Sequence, residues 1–101
     1  MANIFAVLFR GAASIGSTTL YTAGTGVTTS ILSIVVTNTT TATQTYSMSI
    51  DGVSIATDVP VSGNASIIVE PKQVVEESGT ISGMASNTGV NFHISGLEVT
   101  A

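Results

Sequence analysis

The sequence predicts a single all-β domain over residues 1–101, folded as an antiparallel β-sandwich of immunoglobulin-like or jelly-roll-like type. Charged residues make up only 8% of the chain, whereas soluble domains average about 25%. Ser and Thr account for about three residues in ten, and Thr and Val favour pleated strands over helices. About 7–8 short strand-like segments recur at intervals of about ten residues without a helical period, which is typical of a sandwich.

The first predicted strand is the uncharged run Ile4–Phe9, which Arg10 follows. No basic residue precedes the run, so its charge order is wrong for an export signal, and it is far shorter than the roughly 20 residues of a membrane-spanning helix. As an exposed edge strand it would promote aggregation, so it must be covered. Two alternatives stay open: a first core strand, or a strand or arm over residues 1–11 at a subunit interface. The predicted interface residues are Ile4, Phe5, Val7, Leu8, Phe9 and Arg10.

Two further strands are predicted before the middle of the chain. Leu20–Thr22 is short and ends before the turn Gly24-Thr25-Gly26. Residues 30–36 are almost continuously apolar, which is expected of a central strand that is covered on both faces. This strand ends at Asn38 in a Thr-rich turn.

A hairpin at Asp51-Gly52 is the clearest local signal. Tyr46, Met48 and Ile50 alternate with polar residues before it, and Asp-Gly suits a type I′ turn because both central positions need a positive φ. The large residues should therefore face the core and the Ser residues the opposite side. The turn predicts three cross-strand pairs: Ile50 with Val53, Met48 with Ile55, and Tyr46 with Thr57.

The second half of the chain is predicted to form an edge or strand switch at Pro60, which cannot donate to a ladder. The later strands are predicted over residues 65–70, 80–85 and 90–99. In the last of these, Leu97 and Val99 fall on the parity opposite Phe92. We therefore predict a β-bulge at Ser95-Gly96 that turns the later side chains back toward the core.

The composition argues against most chemistry. The net charge is −4 with only Arg10 and Lys72 as basic residues, which disfavours nucleic acid and anionic lipid. The absence of Cys excludes disulfides and Cys-ligated zinc, and fits folding in a reducing cytosol. The single His93 lies on the polar parity of its strand, and the acidic residues are scattered. We therefore expect no enzyme, no cofactor, no metal site, no nucleic-acid partner and no membrane partner.

A series of short motifs in a fixed order resembles small virion structural proteins of tailed bacteriophages. The motifs are Leu20-Tyr21-Thr22-Ala23, the strand from Ile31 to Thr39, the hairpin, Val59-Pro60-Val61-Ser62-Gly63, the segment Lys72 to Gly79, and Leu97-Glu98-Val99. They cover about four fifths of the chain. The sequence departs from the pattern where Ser78 precedes Gly79 and Thr80 follows it.

The resemblance implies a component present in many copies in the phage particle. The first hypothesis is a non-enzymatic capsid decoration or cement protein, folded in the host cytoplasm, that forms homo-oligomers and contacts major capsid or tail proteins. One alternative is a small tail or neck accessory subunit. Another is a module that binds a glycan or a host receptor through loops such as 24–29 or 86–90. An enzyme that acts through His93 is the remaining alternative.

Overall fold

The protein is an all-β sandwich, which confirms the predicted fold class. The structure, a computed structural model, describes residues 2–100, so Met1 and Ala101, at the two ends of the predicted domain, lie outside the described residues. Within this range there are nine strands and no helix. The strands are β1 (Ala2–Ala12), β2 (Thr18–Thr22), β3 (Val27–Asn38), β4 (Gln44–Ile50), β5 (Val53–Val61), β6 (Ser66–Val69), β7 (Val74–Val75), β8 (Thr80–Ala85) and β9 (Val90–Thr100).

The strands form two antiparallel sheets that pack face to face. Sheet A has the order β1-β9-β3-β6, and the two-residue β7 also pairs with β3. Sheet B has the order β2-β8-β4-β5. In an immunoglobulin-like sandwich the first strand neighbours the second, whereas here it pairs with the last. Without β7, eight strands form two four-stranded sheets in interleaved Greek-key order, so of the two predicted types the topology is that of a jelly roll.

The predicted hairpin joins β4 to β5. Asp51 and Gly52 have φ values of 52° and 78°, and Ile50 pairs with Val53 as predicted. Beyond the turn the predicted register is wrong, because β5 contains extra residues relative to β4. The observed pairs are Met48 with Ala56 and Tyr46 with Val59. The predicted faces are nevertheless correct: Tyr46, Met48 and Ile50 are buried.

The bulge predicted within β9 lies instead in both of its neighbours. Leu8 is an extra residue in β1 and Leu32 an extra residue in β3, and both insertions lie next to Ser95. The alternation of β9 therefore continues unbroken, and Leu97 and Val99 lie on the outer face rather than turning to the core. Gly96 is needed here because a Cβ atom would collide with the Ser30 carbonyl oxygen and lie 2.8 Å from Leu8 Cδ1.

The hydrophobic core lies between the two sheets. Phe92 of sheet A is fully buried and packs edge-to-face on Tyr46 of sheet B, with ring centroids 6.0 Å apart and an interplanar angle of 69°. Each fully buried aliphatic or aromatic side chain contributes about 1.5–3 kcal/mol. The other large buried side chains come from both sheets and include Ile31, Ile34, Val36, Met48, Ile81 and Ile94.

The Thr-rich turn after β3 is organised by Asn38, which is fully buried. Its amide nitrogen donates to the carbonyl oxygens of Ala42 and Val61, at 2.8 and 3.0 Å. Its amide oxygen accepts hydrogen bonds from the backbone N–H and the hydroxyl of Thr40, at 2.9 and 2.7 Å. Because these four bonds saturate the side chain, Asn38 has a structural role, and the Asn-Thr-Thr sequence here is not accessible for glycosylation in the folded protein.

Candidate interaction surface

The strands at the edges of the sheets, β1, β6 and β7 in sheet A and β2 and β5 in sheet B, differ in how they are protected from pairing with another chain. In sheet B, β5 has irregular register against β4, and β2 is only five residues long with a register shift of its own. In sheet A, β6 has four residues, whereas β1 has 11. The pairing of β1 with β9 is uninterrupted from Ala2 to Val7. Short strands, bulges, prolines and charges normally protect sheet edges, and β1 lacks these devices before Leu8.

The six predicted interface residues of β1 fall into two groups. Ile4, Phe5 and Val7 are 53%, 80% and 55% exposed, and Arg10 is also exposed. By contrast, Leu8 is 7% exposed, and Phe9 is partly buried and packs against the core. The bulge at Leu8 causes this division because it places two successive apolar side chains toward the core. β1 is therefore a core strand at its centre and an exposed edge strand in its first half, and its place at a subunit interface stays a prediction.

The outer face of sheet A carries further apolar side chains among Ser, Thr, Asn, Arg and His side chains. One row of paired residues runs Phe5, Leu97, Ser30 and Val74, and a second runs Arg10, His93, Val35 and Ile68. Sequence reasoning missed the contribution of Leu97, Val99 and Ile68, because alternation alone does not reveal which parity faces the core when a bulge lies in a neighbouring strand. We define the β1 surface as residues 3–7 of β1 together with Leu97 and Val99.

This face is almost free of charge. Among the strand residues that the structure describes on it, Arg10 and His93 are the ionisable side chains; of the acidic residues within strands, Glu98 faces inward and Asp58 lies in sheet B. Burying a charged group without a partner costs several kcal/mol. The strand residues of the β1 surface, which include no charged side chain, can therefore be buried against another protein at low desolvation cost.

His93 lies on the outer face, as its parity predicted. It is half-buried, with Arg10 opposite it on one side and Val35 on the other. No group of three His, Cys, Asp or Glu residues within residues 2–100 is placed to hold a metal ion. Arg10 and Val35 do not provide the nucleophile and carboxylate that a catalytic histidine would require.

Glu98 faces inward and links the two sheets. The Tyr21 hydroxyl in sheet B donates to Glu98 Oε2 in sheet A, and lies 2.7 Å from the hydroxyl of the buried Thr29. Burial and then the hydrogen bond to Glu98 raise the pKa of Tyr21 above its ordinary value of 10.0. Two of the motifs noted in the sequence, Leu20 to Ala23 and Leu97-Glu98-Val99, thus meet in one structural hydrogen bond.

Two shallow clefts on the described residues differ in position, because the second includes Thr28, which pairs with Val99 of the β1 surface. One, of about 170 Å³, lies on the outer face of sheet B near Ser47, Asp58 and Met84. The other, of about 340 Å³, lies at the predicted 24–29 loop and is lined by Gly26, Thr28, Glu76 and Glu77. There the backbone N–H of Gly26 donates to Glu77 Oε2 at 2.8 Å, so this carboxylate holds the loop.

Over residues 2–100 the structure contains no helix that is long and apolar enough to span a membrane. Comparisons of the chain with protein-family models, with curated proteins and with solved structures found no match.

Proposed function

We propose that this chain is a non-enzymatic virion structural protein, a capsid decoration or cement protein, that binds other protein subunits through the β1 surface. The observation that carries the proposal is the long edge strand β1, whose residues before Arg10 are uncharged and whose Phe5 side chain is 80% exposed. An apolar edge of this kind is an aggregation hazard in a free monomer. A protein that uses it to assemble removes the hazard by covering it.

The placement in a virion comes from the resemblance of the motifs between Leu20 and Val99 to small phage structural proteins. The jelly-roll topology is compatible with this role, since the architecture occurs in viral capsid domains, although it also occurs in lectins. Fold-level analogy alone therefore does not separate a capsid role from glycan binding. The exposed apolar side chains of the β1 surface, Ile4, Phe5 and Val7, favour a protein partner.

The proposal is tested on particles purified from the virus that encodes this chain. Quantitative mass spectrometry should find the protein in many copies per particle, and cryo-electron microscopy should place it on the capsid lattice with the β1 surface against another subunit. Density at the neck or tail would favour the accessory-subunit alternative. Absence of the chain from purified particles would contradict both.

Glycan or receptor binding is the second candidate because the cleft at Gly26 and Thr28 offers hydroxyl and carboxylate groups to a polar ligand. A glycan array with the purified protein separates the candidates. Binding that is lost in Glu76→Gln but kept in Phe5→Ser would support the glycan-binding role, whereas an array without signal would leave the protein-docking proposal as the better one.

A further inference from the structure

We propose that β1 pairs with β1 of a second copy of this chain, antiparallel and in the same plane, so that two copies of sheet A form one continuous sheet. This inference rests on the proposed function, since it takes the β1 surface as the interface, and it adds the identity of the first partner. Strand addition at an edge uses main-chain hydrogen bonds for affinity and alternate side chains for specificity. Both are available along residues 3–7.

The choice of edge follows from the contrast among the edge strands. β5 carries register shifts, Pro60, and Asp58 with a φ of 48°, and β2 and β6 have only five and four residues. These features disfavour addition of a further strand. Before the bulge at Leu8, β1 has regular pairing on its β9 side and lies at the end of sheet A on its other side.

Symmetry fixes the register. A two-fold axis perpendicular to the sheet keeps every residue on its own face, so residues of equal parity must oppose each other. The largest number of residues in the regular segment before Leu8 is paired when the axis passes between the two Phe5 residues. The resulting cross-strand pairs are Phe5 with Phe5, Ile4 with Ala6, and Asn3 with Val7. The two Phe5 rings then lie side by side on the outer face, and aromatic pairs are favourable across strands.

Charge does not oppose a second copy at this position. The chain has a net charge of −4, so copies repel one another wherever their carboxylates approach. β1 holds none of the six acidic residues, and Arg10 is its charged side chain. In the proposed register the two Arg10 residues lie on opposite sides of the axis, about 30 Å apart at about 3.3 Å per residue, which exceeds the physiological screening length of about 8 Å. Neither charge therefore opposes the pairing.

Partial burial of an exposed aromatic residue provides the driving force. Phe5 has Leu97 as its paired neighbour on β9 and an unpaired side toward the sheet edge. A second β1 strand would cover that side and continue the row Ser30, Leu97, Phe5 into the partner. Ile4 and Val7, each about half exposed, would be covered in the same step.

The association is tested by analytical ultracentrifugation of the full chain over a range of concentrations. We expect a monomer–dimer equilibrium that Phe5→Lys abolishes. Ile68→Lys is the matched control, because Ile68 is 69% exposed on the same outer face at the opposite edge of sheet A, and it should leave the dimer intact. Circular dichroism at low concentration confirms that both variants are folded.

The register is tested by disulfide cross-linking, for which the absence of native cysteine is convenient. Directly opposed residues have Cβ atoms about 4.5–5.5 Å apart, close to the distance of about 3.5–4.5 Å in a disulfide. Phe5→Cys alone, and a mixture of Asn3→Cys with Val7→Cys, should cross-link on mild oxidation. Val7→Cys alone should not, because its two copies lie about 14 Å apart. Ile68→Cys measures the rate of random collisions.

A chain that stays monomeric at all concentrations, a dimer that Phe5→Lys leaves intact, or cross-linking of Val7→Cys with itself above the Ile68→Cys rate would overturn the inference. A monomer that nevertheless occurs in many copies in purified particles would overturn the β1–β1 pairing and leave the proposed function standing. A dimer that is absent from particles would overturn the proposed function and leave the β1–β1 pairing standing.

Discussion

The edge strands β1 and β5 are similar in length but differ in the regularity of their pairing. β1 has 11 residues and β5 has nine. β5 bends away from regular pairing at Ile55 and again at Thr57-Asp58, and it carries Pro60. β1 stays regular for its first half and exposes Phe5. The difference fits the proposed pairing, because the irregular β5 edge disfavours a further strand and the regular first half of β1 does not.

The two strands also differ in what anchors them. The backbone N–H of Asp58 in β5 donates to Ser47 Oγ at 3.0 Å, so its irregular conformation is held by a local polar contact. In β1 the irregularity at Leu8 sends an apolar side chain into the core, against Gly96. The bulge of β1 therefore anchors the strand while leaving residues 3–7 free to pair.

Leu8→Ala should have the largest effect on this arrangement. Leu8 is buried in the core, and truncation of a buried leucine lowers the free energy of unfolding by about 2–5 kcal/mol. Phe5→Ala is the matched control and should change it by less than about 0.5 kcal/mol, because Phe5 is mostly exposed. Urea unfolding at low protein concentration measures both. Equal losses in the two variants would mean that β1 does not divide into an anchored half and an exposed half.

Gly96→Ala tests the close approach on which the bulges depend. The added methyl group would meet the Ser30 carbonyl oxygen and Leu8, and overpacking of this kind costs about 1–3 kcal/mol. Gly16→Ala is the control, since no heavy atom beyond its chain neighbours lies within 4 Å of the added Cβ. Thermal unfolding should show a lower midpoint for Gly96→Ala alone. An unchanged midpoint would contradict the packing of β1 and β3 around Gly96.

How far the sequence predicts the fold can be seen at its turns. Asp51-Gly52 predicts the hairpin correctly because turn type depends on local backbone conformation. The register beyond it depends on insertions at Ile55 and Thr57-Asp58, and of these residues only Asp58, which adopts a φ of 48°, is of a type that favours turns. Ser95-Gly96 correctly marks an irregular position in the sheet, but the extra residues are Leu8 and Leu32 in the neighbouring strands. Gly96 is present because those strands approach it closely. A bulge in a neighbouring strand cannot be predicted from the alternation of residues within one strand.

The β1 surface could also be predicted only in part from the sequence. The run Ile4–Phe9 could be identified as a segment that needs to be covered, because its composition is local information. Which of its residues are exposed depends on the bulge at Leu8, and the contribution of Leu97 depends on the register between β1 and β9. Sequence reasoning therefore found the strand but not the division of its side chains.

Val7→Lys and Ile55→Lys compare the two edges directly in the assembled particle. Val7 is 55% exposed on β1 and Ile55 is 40% exposed on β5, so a lysine should be tolerated by the folded monomer at either position. Co-sedimentation with particles that lack the protein should weaken about tenfold or more for Val7→Lys, or about 1.4 kcal/mol, because a charge would be buried in the interface. Ile55→Lys should bind like the unmodified chain. The reverse order would assign docking to the β5 edge.

The smallest expected effect is a loss of stability at alkaline pH. It involves Tyr21 and Glu98, which lie beside the exposed half of β1 because Glu98 pairs with Ile4. Burial and the hydrogen bond to Glu98 raise the pKa of Tyr21 in the folded protein above 10.0. The folded state thus holds the phenolic proton more tightly than the unfolded chain, so this contribution to stability is present below pH 10 and is lost as the pH rises through the folded pKa. Tyr21→Phe should reduce the loss of stability between pH 9 and pH 11 measured by urea unfolding. Part of the loss should persist, since burial also raises the pKa of Tyr46. An identical pH profile in Tyr21→Phe would mean that the Tyr21–Glu98 contact does not hold the two sheets together beneath β1.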